Sequence, residues 1–383
     1  MTIHCVVGGQ FGSEAKGHVA AQLAKRFNTS KLDRPLHLVR VGGSNAGHSA
    51  IDDRGQLWAL RQVPVAAVID RDARLYIAQG SEIDCDVLES EVEALDAAGY
   101  AVSSRLLIDQ YATILEQKHI DRESGSDINA RTGSTSKGIG AARADRIMRT
   151  ATIARDHHDR LLEFINSEDQ ICDTAPLIAE AHENNQHVIV EGTQGYGLGM
   201  HTRFYPQTTS GDCRTVDLLA QIGYTPLSPM KPRDVHTWLV LRTYPIRVAG
   251  NSGSMDGREL DWETLGEISG GYIQPERTTV TKKIRRVAEW DVQVVREAVA
   301  ANGGANPHLH PCLMFIDYFE PMIAGVESYD LMMNAAFGQL HQRLAVCEAD
   351  LGCEIAMFGT SPKTVITNDR LLDVVRNWND VRP

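Results

Sequence analysis

The 383-residue chain sets 38 Lys+Arg against 50 Asp+Glu, a formal net charge of −12, and 43% of its residues are apolar. Such acidity argues against a protein that coats duplex nucleic acid, and the apolar fraction excludes a disordered or fibrous chain. Small anions stay open as ligands, because local side chains and backbone N–H donors hold those.

No apolar run approaches the roughly 20 residues that span a bilayer. The N-terminus Met1-Thr2-Ile3-His4-Cys5-Val6-Val7-Gly8-Gly9 lacks the basic start of a signal peptide. The cysteines (Cys5, Cys85, Cys172, Cys213, Cys312, Cys347, Cys353) are scattered, odd in number and without C-x-x-C, so they read as reduced packed thiols and no zinc site is expected. The expectation is a cytoplasmic protein that engages neither membrane nor nucleic acid.

In chain order, a strand over Ile3–Val7 enters the glycine loop Gly8-Gly9-Gln10-Phe11-Gly12-Ser13-Glu14-Ala15-Lys16-Gly17 and then a helix through Val19, Leu23 and Phe27. Strand, glycine loop and helix in succession aim backbone donors at phosphate. A second strand, Leu36–Val41, runs into Gly42-Gly43-Ser44-Asn45-Ala46-Gly47-His48-Ser49. A helix is expected from Ser81 as N-cap, with Asp84 in the capping-box position, to Gly99 as C′ residue. Further buried strands are expected at 187–190, 238–241, 312–316 and 355–358, with helix-like stretches at 155–170, 288–301 and 328–350. Short apolar strands alternating with helices imply an α/β fold: a large, mainly parallel sheet covered on both faces, in one domain spanning 1–383, with ligands at the carboxyl ends of the strands.

Five segments carry candidate chemistry. The first loop departs from the Walker pattern at Ala15, and a structural turn with a surface Lys16 would look much the same. His48 in its glycine turn is either satisfied within a loop or a proton donor to a phosphoryl group. Arg131-Thr132-Gly133-Ser134-Thr135-Ser136-Lys137-Gly138 suits a phosphate monoester, and Arg143, Arg146 and Arg149 after it have the look of a solvated basic face. Glu191-Gly192-Thr193-Gln194-Gly195 and Tyr205-Pro206-Gln207-Thr208-Thr209-Ser210 read either as tight turns or, at Gln194, as a base-edge contact. Thr281-Lys282-Lys283-Ile284-Arg285-Arg286 suits a dicarboxylic guest, or is a solvated charge run.

The order of these loops, with Gly359-Thr360-Ser361-Pro362 after them, resembles adenylosuccinate synthetase from residue 3 to about residue 370. The resemblance is strongest to the short archaeal-like branch that also holds the phage 2-aminoadenylosuccinate synthases. It implies a P-loop-like fold with long functional loops, a homodimer, and a ligase in which a nucleoside triphosphate phosphorylates O6 of a purine nucleotide before the aspartate amine displaces that phosphate. By motif, it places the donor nucleotide on Gly12, Ser13, Glu14, Ala15, Lys16, Gly17, Gly47, His48, Ser49, Asp317, Gly359, Ser361 and Pro362. It places Mg2+ on Ser13 and the Gly47 carbonyl, and catalysis on Ser13, His48 and Gln194. The purine nucleotide falls to Ser13, Asn45, Ser134, Thr135, Gln194, Thr209 and Val248, with Arg149 reaching the neighbouring subunit's site, and L-aspartate to Thr281, Lys283 and Arg285.

Two departures stand out. The usual family member carries Asp where this chain has Ser13. That Asp takes the N1 proton and ligates Mg2+, which a neutral hydroxyl does not do equally. A shorter side chain leaves room for an exocyclic 2-amino group, so dGMP is the expected substrate; the alternative is an ordinary synthetase using IMP, aspartate and GTP. The second is Phe315 in place of the Lys that accompanies Asp317 at the donor base, either a stacking face or core, and with it ATP or dATP is expected as donor.

Overall fold

The architecture comes from a computed structural model, which describes residues 2–28, 35–226, 234–271, 273–277, 283–334 and 339–368. Ten strands form the central sheet in the order Thr364–Thr367, Met357–Ser361, Leu309–Met314, Asp234–Arg242, Thr2–Gly8, Val188–Glu191, His37–Arg40, Arg74–Ile77, Leu106–Asp109, Ile171–Cys172. Every neighbouring pair is parallel except the antiparallel hairpin of the last two strands in sequence. The doubly covered α/β sheet expected from the sequence is therefore present, and all seven cysteines are free thiols.

Alternation along Thr2–Gly8 distributes the core. Ile3, Cys5 and Val7 pack with Ile178, Leu218, Val295 and Leu344 on one face, while Val6 packs with Val19, Leu23, Leu60 and Leu88 on the other. A run fully buried on both sides is what a central parallel strand requires. The helix after the first loop, Lys16–Phe27, buries Val19, Ala20, Leu23 and Ala24 and ends in Lys25 and Arg26, which suit the negative end of its dipole.

Several boundaries move for identifiable reasons. Ser81 is not the N-cap, because Glu82–Ile83 pair in parallel with Thr113–Ile114 and the helix begins only at Cys85. Asp84 caps it instead, accepting from the Val87 N–H at 3.3 Å, and Gly99 follows the end at φ +86°. The 312–316 strand is Leu309–Met314; Phe315 at φ +62° turns the chain into the 3-10 segment Ile316–Tyr318. Residues 155–170 form only short turns (Ala154–His157, His158–Leu161, Glu168–Gln170), the last started by Ser167 and Gln170 capping each other. The 288–301 stretch starts with the strand Arg286–Ala288 and becomes helical at Val292. The 328–350 stretch gives two helices, Tyr329–Asn334 and Leu340–Leu351, on either side of residues 335–338, which lie outside the described residues.

At the amino ends of the central strands lies a buried aromatic and histidine cluster. Trp238 donates from its indole to His4 Nδ1 at 3.1 Å, and the His4 ring lies 3.0 Å (Nε2) from His187 Nδ1. Trp238 also stacks on His310 at 4.5 Å, and His310 in turn stacks on His236. Burial first, then the neighbouring imidazoles, hold His4 well below its ordinary range and push His310 down to about 3; burial pushes His187 down to about 4.

These groups refuse a proton in the native state that they accept near pH 6.5 once unfolded. The unfolded chain then binds more protons, so stability falls as pH falls from about 6.5 towards 4, by up to about 1.4 kcal/mol per pH unit for each group. Urea unfolding midpoints should be lower at pH 5 than at pH 7, and His310→Phe should flatten that dependence. An equal slope in the variant would refute the assignment to this cluster.

Candidate active site

Three strands of the central sheet, two of them neighbours, end in buried charge at the opposite, carboxyl edge. Arg40, Glu191 and Arg242 close apolar runs and are each 1% exposed or less. Register sets Glu191 beside Arg40, with Arg40 Nη1 3.7 Å from the carboxylate. The His48 imidazole lies on this pair, its Nδ1 2.7 Å from Arg40 Nη1 and 3.0 Å from Glu191 Oε2. Glu191 also accepts the N–H groups of Val65 and Ala66, both at 3.2 Å. Burial and the Arg40 charge hold the His48 ring well below its usual range, so the imidazole is neutral at ordinary pH. A guanidinium only donates and a carboxylate only accepts, and both face Nδ1, while Arg40 Nη1 also lies 3.3 Å from Nε2, so the ring sits between a donor and an acceptor.

The first loop folds around its own carboxylate. Glu14 is fully buried and accepts from the N–H groups of Gln10 (3.2 Å) and Gly12 (2.6 Å) and from Lys16 Nζ (2.8 Å). Lys16 Nζ also donates to the Gly12 carbonyl at 3.1 Å. Lys16 is thus no surface residue. Gly17 allows the closest approach: a Cβ there would lie 2.6 Å from the Ser49 carbonyl and 2.8 Å from His48 Cβ, which brings the helix start onto the His48 strand. Ala15 and Gln194 hold positive φ, +68° and +65°, strained for residues other than glycine and characteristic of functional loops.

Ser13 faces a cationic group. Its hydroxyl accepts from Arg285 and its carbonyl accepts from Arg242 at 3.1 Å. Arg242 and Arg285 share the charge of Glu276, which Arg242 grips through both terminal nitrogens and Tyr318 meets through its hydroxyl at 3.1 Å. Phe315 packs on the core and under the Arg242 guanidinium, 3.9 Å from its ring centre, so the site presents its face to an arginine. Asp317 keeps a buried Oδ1 without a partner among the described residues, and burial pushes its carboxyl up to about 6. Gly359 and Ser361 lie on the neighbouring strand Met357–Ser361, with Pro362 in the hairpin turn after it.

A single pocket unites Asn45, Gln194 and Thr209 with Gly43, Ile139, Arg143, Thr193, Asp212, Cys213, Leu218 and Gln221. Ser134, Thr135 and Val248 do not line it. Ser134 is partly buried and Thr135 exposed on a loop whose Gly133 abuts Ser252, four residues beyond Val248. Arg149 is exposed at φ +65° next to exposed Ile147 and Met148. Gly47 and Lys283 are also exposed, whereas Thr281 lies outside the described residues.

Sequence reasoning did not single out Arg40, Glu191, Arg242 or Glu276 as site residues. The first three had a visible signal: each is a charge that closes an apolar strand run.

The family model for adenylosuccinate synthetase matches residues 5–164 and 154–321. The adenylosuccinate synthetase of Methanococcus aeolicus is 30% identical over 371 residues, 96% of this chain and 99% of that protein. That of Pyrococcus horikoshii is 31% identical over 368 residues, 95% and 97% of the two chains. Among solved structures, the succinoaminodeoxyadenylate synthetase of cyanophage S-2L, bound to dGMP and to dATP as an energy donor, superposes with a TM-score of 0.73 at 26% identity, covering 100% of this chain and 99% of that one. The fully ligated adenylosuccinate synthetase of Plasmodium falciparum gives 0.74 at 18% identity, over 96% and 99%.

Arg40→Met would leave the Glu191 carboxylate buried without its cation and should cost about 3–5 kcal/mol, read from denaturant unfolding. Arg40→Met/Glu191→Leu should recover most of that loss. If the double variant is no more stable than the single one, the pair is not what balances this edge.

With matching loops on the matching fold and near-complete coverage by its relatives, the chain belongs to the adenylosuccinate synthetase family and is a ligase of that type.

Proposed function

We propose that this ligase condenses L-aspartate with dGMP, using ATP or dATP, to give N6-succino-2-amino-2′-deoxyadenylate. One observation carries the reading: residue 13 is a serine, and its hydroxyl is taken by Arg285 on the aspartate side of the site. With no carboxylate at 13, the space beside the purine's C2 and N1 is free of an anion that a 2-amino purine would leave buried and unpaired. The full-length likeness to a synthetase that binds dGMP and dATP supports it.

In this reading the donor γ-phosphoryl passes to O6 of the purine, the aspartate amine forms the new C6–N bond, and inorganic phosphate departs with O6. Lys16 and the loop amides take the donor phosphates, exchanging Glu14 for them. His48, neutral, offers its ring proton to the transferring phosphoryl oxygen. Gln194 and Asn45 hold the purine nucleotide, and Thr209, Ser134, Thr135 and Val248 surround it. Thr281, Lys283 and Arg285 clasp the two carboxylates of aspartate.

No group of three or more His, Cys, Asp or Glu side chains among the described residues could hold a metal. The oxygens at the motif positions, the exposed Gly47 carbonyl and the Ser13 hydroxyl that already accepts from Arg285, are neutral, a set that fits Mg2+ carried mainly on the donor phosphates. Bound there, the ion supplies charge neutralisation at the transferring phosphoryl. Exposed Ile147 and Met148 beside Arg149 support a homodimer in which Arg149 completes the neighbour's site.

A second reading, an ordinary synthetase using IMP and GTP, is favoured by Asp317: a buried carboxylate with an unpartnered oxygen suits the two N–H donors of a guanine edge.

Incubation with aspartate, Mg2+, one donor (ATP, dATP or GTP) and either dGMP or IMP separates the two. Succinylated product from dGMP with ATP or dATP is expected; turnover of IMP with none of dGMP would overturn the substrate assignment. Ser13→Asp should lower kcat/KM for dGMP. His48→Ala should cost on the order of 10²–10⁴-fold in kcat, the usual worth of a proton donor.

A further inference from the structure

Arg143, Arg146 and Arg149 follow one another along the helix Ile139–Met148 and its C-cap, yet they point to different environments. Arg146 and Arg149 are exposed, while Arg143 turns inward onto Glu82, which is only 4% exposed. Arg143 Nε donates to Glu82 Oε1 at 2.6 Å and Nη2 to Oε2 at 3.3 Å. This side-on grip occupies one edge of the guanidinium through Nε and Nη2, and Nη1 takes no part in it.

Nη1 stands against the backbone of Gly211, where a Cβ would come within 2.3 Å of it. Gly211 lies two residues beyond Thr209, and Arg143 lines the same pocket as Asn45, Gln194 and Thr209. The other charged group in that lining, Asp212, is already held by the His201 N–H at 3.1 Å and by its imidazole at 2.6 Å. An anion entering there meets one uncommitted N–H edge of positive charge, at Arg143.

We propose that Arg143 binds the 5′-phosphate of the purine nucleoside monophosphate in cis, with Glu82 fixing its guanidinium so that Nη1 faces a phosphate oxygen. Holding one edge before the ligand arrives spares the side-chain entropy that a free arginine would lose. The inference rests on reading this pocket as the nucleotide's, and it does not depend on which purine base is bound.

Calorimetric titration of the full-length protein with dGMP, IMP and the nucleosides deoxyguanosine and inosine tests it. Arg143→Met should raise the Kd of both nucleotides by about 10–100-fold, the range of a hydrogen bond to a charged group, and leave the nucleosides within about threefold. Glu82→Gln keeps the cation and should cost less than about tenfold. Should Arg143→Met not fold because Glu82 is left buried and unpaired, Arg143→Met/Glu82→Gln carries the same comparison. Normal nucleotide affinity without Arg143, or nucleosides weakened as much as nucleotides, would overturn the proposal. A base preference for inosine would count against the dGMP reading alone, because the phosphate-dependent loss would then appear on IMP.

Discussion

Charge buried at the carboxyl edge of a parallel sheet is the constraint on which the rest of this structure depends. A site for anions must concentrate cations and backbone N–H groups, and such groups cannot lie buried without partners. The chain meets that requirement with its own glutamates. Glu14 holds the loop amides and Lys16, Glu191 holds Arg40, and Glu276 holds Arg242. Glu82 holds Arg143, and Glu123 accepts the Gly138 and Ala141 N–H groups at the start of the helix Ile139–Met148. A net charge of −12 is compatible with phosphate chemistry, because a small set of glutamates, five of the 50 acidic residues, is enough to balance these cations and amides until a ligand arrives.

Position in the sheet decides which of these groups can act. Arg40 and Glu191 are 151 residues apart in sequence but opposite in register, because the strand Val188–Glu191 is inserted between Thr2–Gly8 and His37–Arg40. The resulting pair holds the His48 ring, which burial and the Arg40 charge keep neutral. Positive φ at Ala15, Gln194 and Phe315 falls where loops leave the carboxyl ends of strands, so the strained backbone is borne next to the most heavily packed part of the molecule.

Much of this was legible in the residues themselves. The apolar runs around Cys5, Ile189, Leu239 and Leu313 announce buried strands, and the glycine loops after them announce ligand contact at their carboxyl ends. What stayed hidden depended on neighbours distant in sequence. Ser81 and Asp84 are both good caps, and only the pairing of Glu82–Ile83 with Thr113–Ile114 decides between them. Phe315 reads equally as core or as a stacking face until Arg242 is seen beneath it. Arg143 and Arg149 are alike in a string of letters, and it takes the buried Glu82 to separate them.

The same electrostatic logic gives residue 13 its weight. Around it Arg242 and Arg285 both face Glu276, the charges of Glu14 and Asp317 also reach Arg285 and Arg242, and Arg242 itself is 1% exposed with its Nε buried without a partner among the described residues. A carboxylate at 13 would add a further negative charge to this group. A hydroxyl accepts one hydrogen bond from Arg285 and adds no charge, in a half-buried setting where charge is weakly screened. In the proposed reaction the Arg285 guanidinium then keeps its charge for a carboxylate of the amino acid. The serine that, in that reading, spares the purine side an anion also leaves Arg285 without a carboxylate bound to it at residue 13.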